Sequence, residues 1–167
     1  MIKEEQLDNM LYEKMQKELG DEYIILLRTH YFIADVLDLS EYEGFAYNLS
    51  KYDDIARLYL ISDVLITDYS SVFFDYANLR RPMLFFTYDL EKYRSVLRGF
   101  YIDVEEELPG PMLMTTDEVI GALQNIENVV TEYSDKYTAF CDKYCAWEDG
   151  TAAKKVVETV FSDKSNK

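Results

Sequence analysis

Apolar residues Leu7, Met10, Leu11, Met15 and Leu19 recur at helical spacing. They predict an amphipathic helix over residues 4–19, with Gly20 standing where a C-terminal cap belongs. The next apolar stretch is a short unbroken run, YIILL at 23–27, the mark of a strand buried on both faces of a parallel sheet. Residues 29–41 carry a weaker pattern, with a short helix expected over 33–39. Positions 45–48 read as a short strand. Ser50 with Asp53 three residues later forms a capping-box signature for a helix running to about Ile61. Strands follow at 64–67 and, after Pro82, at 83–86, with a helix opening at Ser71 and running to about Leu79 between them. Strand and helix therefore alternate through the middle of the chain, which predicts an α/β fold with a parallel sheet flanked by helices.

Residues 87–111 form a long irregular stretch rich in Tyr, Arg and acid, closed by PGP at 109–111. Loops of that length inside a compact domain are usually functional or mobile. Thr115 with Glu118 forms a second capping box, for a helix to about Ile126. The stripe Val130, Tyr133, Tyr137, Phe140, Cys141, Tyr144 marks a further helix and residues 151–161 a last one; these stripes are expected to be core. Residues 162–167 read as a disordered tail, and 1–161 as one domain.

The segment VLITDYSSVFFDYA at 64–77 carries the most chemistry. A strand passes through small hydroxyl residues directly into a helix, whose first turn has amides with no intrahelical partner and a partial positive charge, a natural seat for phosphate. The same residues, Asp68, Ser70 or Ser71, also serve as ordinary helix caps, and both readings stand from the turn alone. No G-x-x-x-x-G-K-[ST] or G-x-G-x-x-G loop is present, so neither a P-loop NTPase nor an ordinary dinucleotide-binding protein is indicated.

Composition narrows the partners. At 167 residues and 49 % hydrophobic content the chain can build one sizeable core. The formal charge of −15 argues against nucleic acid. Residues 80–98 nevertheless hold Arg80, Arg81, Lys92, Arg94 and Arg98 against Asp89 and Glu91, a local surplus of cations able to receive a small anion. Cys141 and Cys145, four apart on a helical pattern, fit neither a redox nor a zinc motif and read as free thiols in a reducing compartment. No metal-ligand motif is visible. The N-terminus lacks signal-peptide order and no run reaches the roughly 20 apolar residues of a membrane helix. A cytoplasmic protein is expected, with peripheral association at the inner face of the cell membrane left open.

Ligands of open parallel sheets bind at the carboxyl ends of the strands. Arg28, Thr29 and His30 follow the first strand, Asp68, Ser70 and Ser71 the third, and Thr87, Tyr88 and Asp89 the fourth. That convergence makes anion binding at Ser70 and Ser71 the preferred reading. His30 is the only histidine; beside Arg28, its imidazole can hold or protonate a phosphate while guanidinium grips the oxygens in a fork. A structural role for His30 stands as the alternative.

Several motifs in order resemble the CDP-glycerol glycerophosphotransferases, which polymerise or prime teichoic acids and related cell-surface polymers. They are RTH at 28–30, YDD at 52–54, ISDVLITDYSSVFFDYA at 61–77, RP at 81–82, YD at 88–89, Tyr93, RGFYID at 98–103, PGP at 109–111 and EDG at 148–150. The resemblance covers about residues 23–161. It implies a GT-B-type architecture of two facing α/β domains, of which this chain resembles the C-terminal, Rossmann-like, donor-binding one. The donor implied is CDP-glycerol, with Arg28, Asp68, Ser70 and Ser71 at its phosphates, His30 as the catalytic residue near the pyrophosphate, and Tyr88, Asp89 and Arg98 as further donor or loop contacts. The reaction implied passes glycerol phosphate to a hydroxyl of a polyol-phosphate or lipid-linked polymer and releases CMP. The acceptor-binding N-terminal half and the strand that usually opens the donor domain have no counterpart in these 167 residues. CDP-ribitol as donor, and a non-catalytic nucleotide-binding or interaction module, are the alternatives. Mg²⁺ as cofactor is left open.

Overall fold

The computed structural model describes residues 4–29, 38–68, 70–88, 90 and 102–161. Helix α1 (Glu4–Leu19) leads into strand β1 (Ile25–Leu27), a short 3-10 turn (Ser40–Tyr42) and β2 (Ala46–Asn48). Then come α2 (Ile55–Ile61), β3 (Leu65–Thr67), α3 (Val72–Tyr76) continuing as a 3-10 turn (Ala77–Leu79), and β4 (Met83–Phe86). The rest comprises α4 (Val104–Glu107), β5 (Met112–Leu113), α5 (Thr116–Gln124), α6 (Ile126–Glu132), α7 (Ser134–Tyr144) and α8 (Ala152–Phe161). The expected 33–39 helix and the tail at 162–167 lie outside the described residues.

Among the described residues all the strand pairs are parallel, as predicted, but they form two sheets rather than one. β1 pairs with β2 in the register Ile25↔Ala46, and β4 lies between β3 and β5 with Leu65↔Met83 and Phe85↔Met112. Alternation along β4 divides the core: Leu84 and Phe86 join one apolar cluster, Met83 and Phe85 another. The first cluster holds Tyr12, Met15 and Leu19 of α1, Leu39, Tyr42, Ala46 and Val119, Ile120 and Leu123 of α5, and Ile25, Leu27 and Val64 pack against it. It therefore spans both sheets. The second gathers Phe73 and Tyr76 of α3, Val104, Leu108, and Phe140 and Cys141 of α7. Helices thus cover opposite faces of the strands, the layering expected of a parallel α/β unit.

Four local expectations change. α2 starts at Ile55 with Asp54 as its cap, accepting from the amides of Ala56 at 3.1 Å and Arg57 at 3.4 Å; Ser50 does not cap because its hydroxyl is engaged by Thr29. The helix after β3 tightens to 3-10 geometry at Ala77, and the segment ends at Arg80 with a left-handed φ of 52°. Strand β5 goes unseen between the PGP segment and the Thr115 capping box because two residues are too few to show a period. Gly110 lets it form: a Cβ there would lie 1.9 Å from the Met83 carbonyl oxygen, so only glycine allows the PGP segment close enough for the Phe85 amide to donate to the Pro111 carbonyl at 2.9 Å. Finally, α7 buries Phe140 and Cys141, but every residue of α8 is exposed and none joins either cluster, so the last stripe is not core. Cys141 and Cys145 are both free, and no helix among the described residues is long and apolar enough to cross a membrane.

Candidate functional site

Polar residues collect where the strands end, in three groups. After β1, the Thr29 amide donates to the Ser50 hydroxyl at 3.0 Å and the two hydroxyls are also 3.0 Å apart. Beside them the Arg28 guanidinium donates to the Tyr52 carbonyl. These bonds tie the exit of β1 to the loop leaving β2 and hold Arg28 at the surface with donors to spare, since a guanidinium carries five. Ser50, read from spacing as a helix cap, is the residue sequence reasoning missed here. Its partner stands 21 positions away, beyond any local signal.

After β3, Asp68 accepts from the Ser70 amide at 3.0 Å, a local Asx turn that bends the chain toward α3. Ser71 occupies the N-cap position of α3 and makes no side-chain cap bond. The capping alternative therefore does not describe this helix: Asp68 shapes the turn, and neither serine spends its hydroxyl on the first-turn amides. α3 is only five residues long, so local amides rather than a long helix dipole supply the positive potential. Ser71 is exposed and Ser70 half-buried.

After β4, Thr87 is buried, its amide bonded to the Leu113 carbonyl at 2.7 Å and its hydroxyl to the Met114 sulfur at 3.4 Å. Tyr88 turns outward, 63 % exposed, with its ring 5.4 Å from that of Phe86. Below the rim a small apolar pit of about 40 Å³ lies between Asp68, Phe73, Phe85, Thr87, Leu90 and Ile102. It is too small for a nucleotide and lies beneath the polar rim. Of the predicted site residues, the fold places Arg28, Asp68, Ser70, Ser71 and Tyr88 at strand ends. His30, Asp89 and Arg98 lie outside the described residues.

The local surplus of cations resolves differently. Arg81 donates from one guanidinium nitrogen to the carbonyls of Leu60 at 3.0 Å and Ser62 at 2.6 Å, with Tyr59 at 3.4 Å. It satisfies the exposed end of α2 as a C-terminal cation does, which makes it a structural residue rather than a ligand contact. Its own carbonyl accepts from the Tyr137 hydroxyl at 2.8 Å. Tyr76 donates to the Ser62 carbonyl at 2.9 Å, and burial pushes its phenol up to about 12. Lys92 and Arg94 fall outside the described residues. Among the described residues no group of three or more His, Cys, Asp or Glu side chains is placed to share a metal ion.

Known proteins share both sequence and fold. A profile of the family described as CDP-Glycerol:Poly(glycerophosphate) glycerophosphotransferase matches residues 3–162. A teichoic acid poly(glycerol phosphate) polymerase of Bacillus subtilis (strain 168) is 53 % identical over 148 residues, 89 % of this chain and 20 % of the relative. A teichoic acid poly(ribitol-phosphate) polymerase of Bacillus spizizenii is 38 % identical over 89 % of this chain and 23 % of its own length. Among solved structures, the wall teichoic acid polymerase TagF superposes with a TM-score of 0.83 at 47 % identity, over 90 % of this chain and 37 % of that one. A TagF variant soaked with CDPG gives 0.84 at 46 % identity, over 93 % and 39 %. The chain thus spans about a fifth to two fifths of the length of these relatives. The resemblance carried by the motifs is borne out, as is the α/β class of parallel strands flanked by helices shared with TagF: the chain belongs to the CDP-glycerol:poly(glycerophosphate) glycerophosphotransferase family.

Proposed function

We propose that residues 1–161 form one donor-binding unit of a teichoic acid glycerophosphotransferase, holding CDP-glycerol at the carboxyl ends of its strands. The observation that carries this is Ser70 and Ser71 at an N-terminus where neither hydroxyl caps the helix, directly after β3, in a chain of this family. Hydroxyls and first-turn amides receive the pyrophosphate oxygens, and Arg28 supplies charge from the neighbouring strand end. Asp68 keeps the turn in shape through the Ser70 amide. His30, two residues beyond Arg28, is assigned to the same phosphates as donor or acid, with Tyr88, Asp89 and Arg98 as further donor or loop contacts.

In the complete reaction an acceptor hydroxyl oxygen attacks the glycerol-bearing phosphorus, the phosphorus–oxygen bond to CMP breaks, and the hydroxyl proton passes to a base. Charge on the leaving CMP is what needs stabilising, and fixed amides, guanidinium and imidazole do so without reorganising. CDP-glycerol is favoured over CDP-ribitol because the glycerol polymerase is the more similar relative, at 53 % identity against 38 %. A soluble donor and a polyol-phosphate or lipid-linked acceptor meet at the cytoplasmic face of the cell membrane, where we place the reaction, with the chain peripheral to it.

Calorimetric titration with CDP-glycerol, against CDP-ribitol, CMP and UDP-glucose and with or without Mg²⁺, tests this reading. The expected result is selective binding of CDP-glycerol. Ser71→Ala and His30→Ala should each weaken it about tenfold, roughly 1.4 kcal/mol, with unchanged melting temperature. Equal binding of UDP-glucose, or variants that bind normally, would overturn it.

A further inference from the structure

Ser50 stands outside every motif that carries the family resemblance, two residues before the YDD at 52–54. Its hydroxyl nevertheless makes the bond that shapes the exit of β1.

The pairing of β1 with β2 advances in regular steps. The Ile25 amide donates to the Phe45 carbonyl at 2.7 Å, and the Leu49 amide to the Leu27 carbonyl at 2.8 Å. By the even spacing of a parallel ladder, the next donor is the Thr29 amide and the next acceptor the Leu49 carbonyl. That acceptor is taken: the chain turns over residues 49–52, and the Leu49 carbonyl accepts from the Tyr52 amide at 3.0 Å. The Ser50 hydroxyl stands in its place, accepting from the Thr29 amide at 3.0 Å, with the Thr29 hydroxyl also 3.0 Å away. A side chain thus continues the ladder past the point where the β2 backbone has left it.

The same turn serves Arg28. At its start Asn48 Oδ1 accepts from the Ser50 amide at 3.1 Å, and at its end the Tyr52 carbonyl accepts from the Arg28 guanidinium. Arg28 and Thr29 are therefore held by one loop, the first through its side chain and the second through its amide. Arg28 is exposed, and a long exposed side chain has many rotamers to lose, so its direction depends on this backbone and this carbonyl. Thr29 and Ser50 are half-buried. Removing the Ser50 hydroxyl strips the Thr29 amide of its acceptor, and an unmet amide is relieved by moving toward water. Arg28, the preceding residue, moves with it.

We propose that Ser50 is a positioning residue of the donor site: it substitutes for the lost ladder carbonyl, sets the backbone at Arg28 and Thr29, and so aims the guanidinium at the donor phosphates. Ser50 itself does not meet the phosphates, because its hydroxyl is engaged by Thr29. The inference rests on the reading of Arg28 as a phosphate ligand and adds the residue through which that ligand is held.

Calorimetric titration of the 167-residue chain with CDP-glycerol, run as a double-mutant cycle of Ser50→Ala and Arg28→Ala, tests it. Ser50→Ala should weaken binding at least about fivefold, and Ser50→Thr, which keeps the hydroxyl, should stay within about twofold of the parent. In the Arg28→Ala background Ser50→Ala should change binding by less than about twofold, because the group it positions is gone. Ser50→Cys, close in shape but a weak acceptor, carries the same cycle if the alanine variant does not fold. Parent-like binding by Ser50→Ala, or an equal loss with and without Arg28, would overturn the positioning role and leave the donor site standing. Parent-like binding by Arg28→Ala, or no binding by the parent chain, would overturn the donor-site reading and this inference with it.

Discussion

Glu107 is the carboxylate most strongly shaped by its neighbours within the range where titration is measurable. The Lys143 ammonium donates to it at 2.5 Å and the Tyr144 hydroxyl at 2.7 Å, and these hydrogen bonds, the ammonium's first, pull its pKa from 4.5 to about 2. A carboxylate whose folded pKa lies below its unfolded one contributes stability above the unfolded value and loses it as pH falls through the folded value. Glu107→Gln should therefore lower stability at neutral pH and flatten the acid limb of the stability–pH profile between about pH 4.5 and 2, the window set by the two pKa values, so that variant and parent converge at the acid end. Denaturant melts across that range check it; an unchanged slope would show that the bonds tying α4 to α7 carry no stability. Residues of this kind are not legible in a sequence. Glu107 and Lys143 are 36 positions apart, as invisible to spacing as the Thr29–Ser50 clasp, because both depend on which elements the fold sets side by side.

Among the elements, α5 shows where local pattern suffices. Thr115 accepts from the Glu118 amide at 3.2 Å while the Glu118 carboxylate accepts from the Thr115 amide at 3.0 Å, the reciprocal box that the spacing predicted. Thr115→Ala should cost about 1 kcal/mol, measurable by thermal or denaturant unfolding, and Thr115→Ser should restore most of it. α2 shows the opposite. The same kind of signature at Ser50 and Asp53 failed because Ser50 had a better partner across the chain, and the cap passed to Asp54. The predicted 130–144 helix also divides, into α6 and α7 at Tyr133, without any glycine or proline to announce it. Helix existence follows from apolar period; helix boundaries follow from competition for hydrogen bonds that only the folded chain resolves.

For the whole molecule, β4 is the element on which both cores close. Leu84 and Phe85 are each fully buried and face opposite clusters. Leu84→Ala should lose ~2–5 kcal/mol and Phe85→Ala ~3–5 kcal/mol in equilibrium unfolding, each by emptying a different core. The amino-acid sequence by itself determined the parallel α/β class, the positions of the long strands and the family, because apolar runs, turn chemistry and ordered motifs are properties of neighbouring residues. It also placed Arg28, Asp68, Ser70 and Ser71 at strand ends, since a strand's end is visible where its apolar run stops. Only the tertiary structure decided that Arg81 secures the end of α2 instead of facing a ligand, that Ser50 clasps Thr29, that α8 stays outside both cores, and that the described strands fall into two sheets. Each of those outcomes depends on groups far apart in the chain meeting in space, where burial and unsatisfied backbone groups, not local propensity, select the partner.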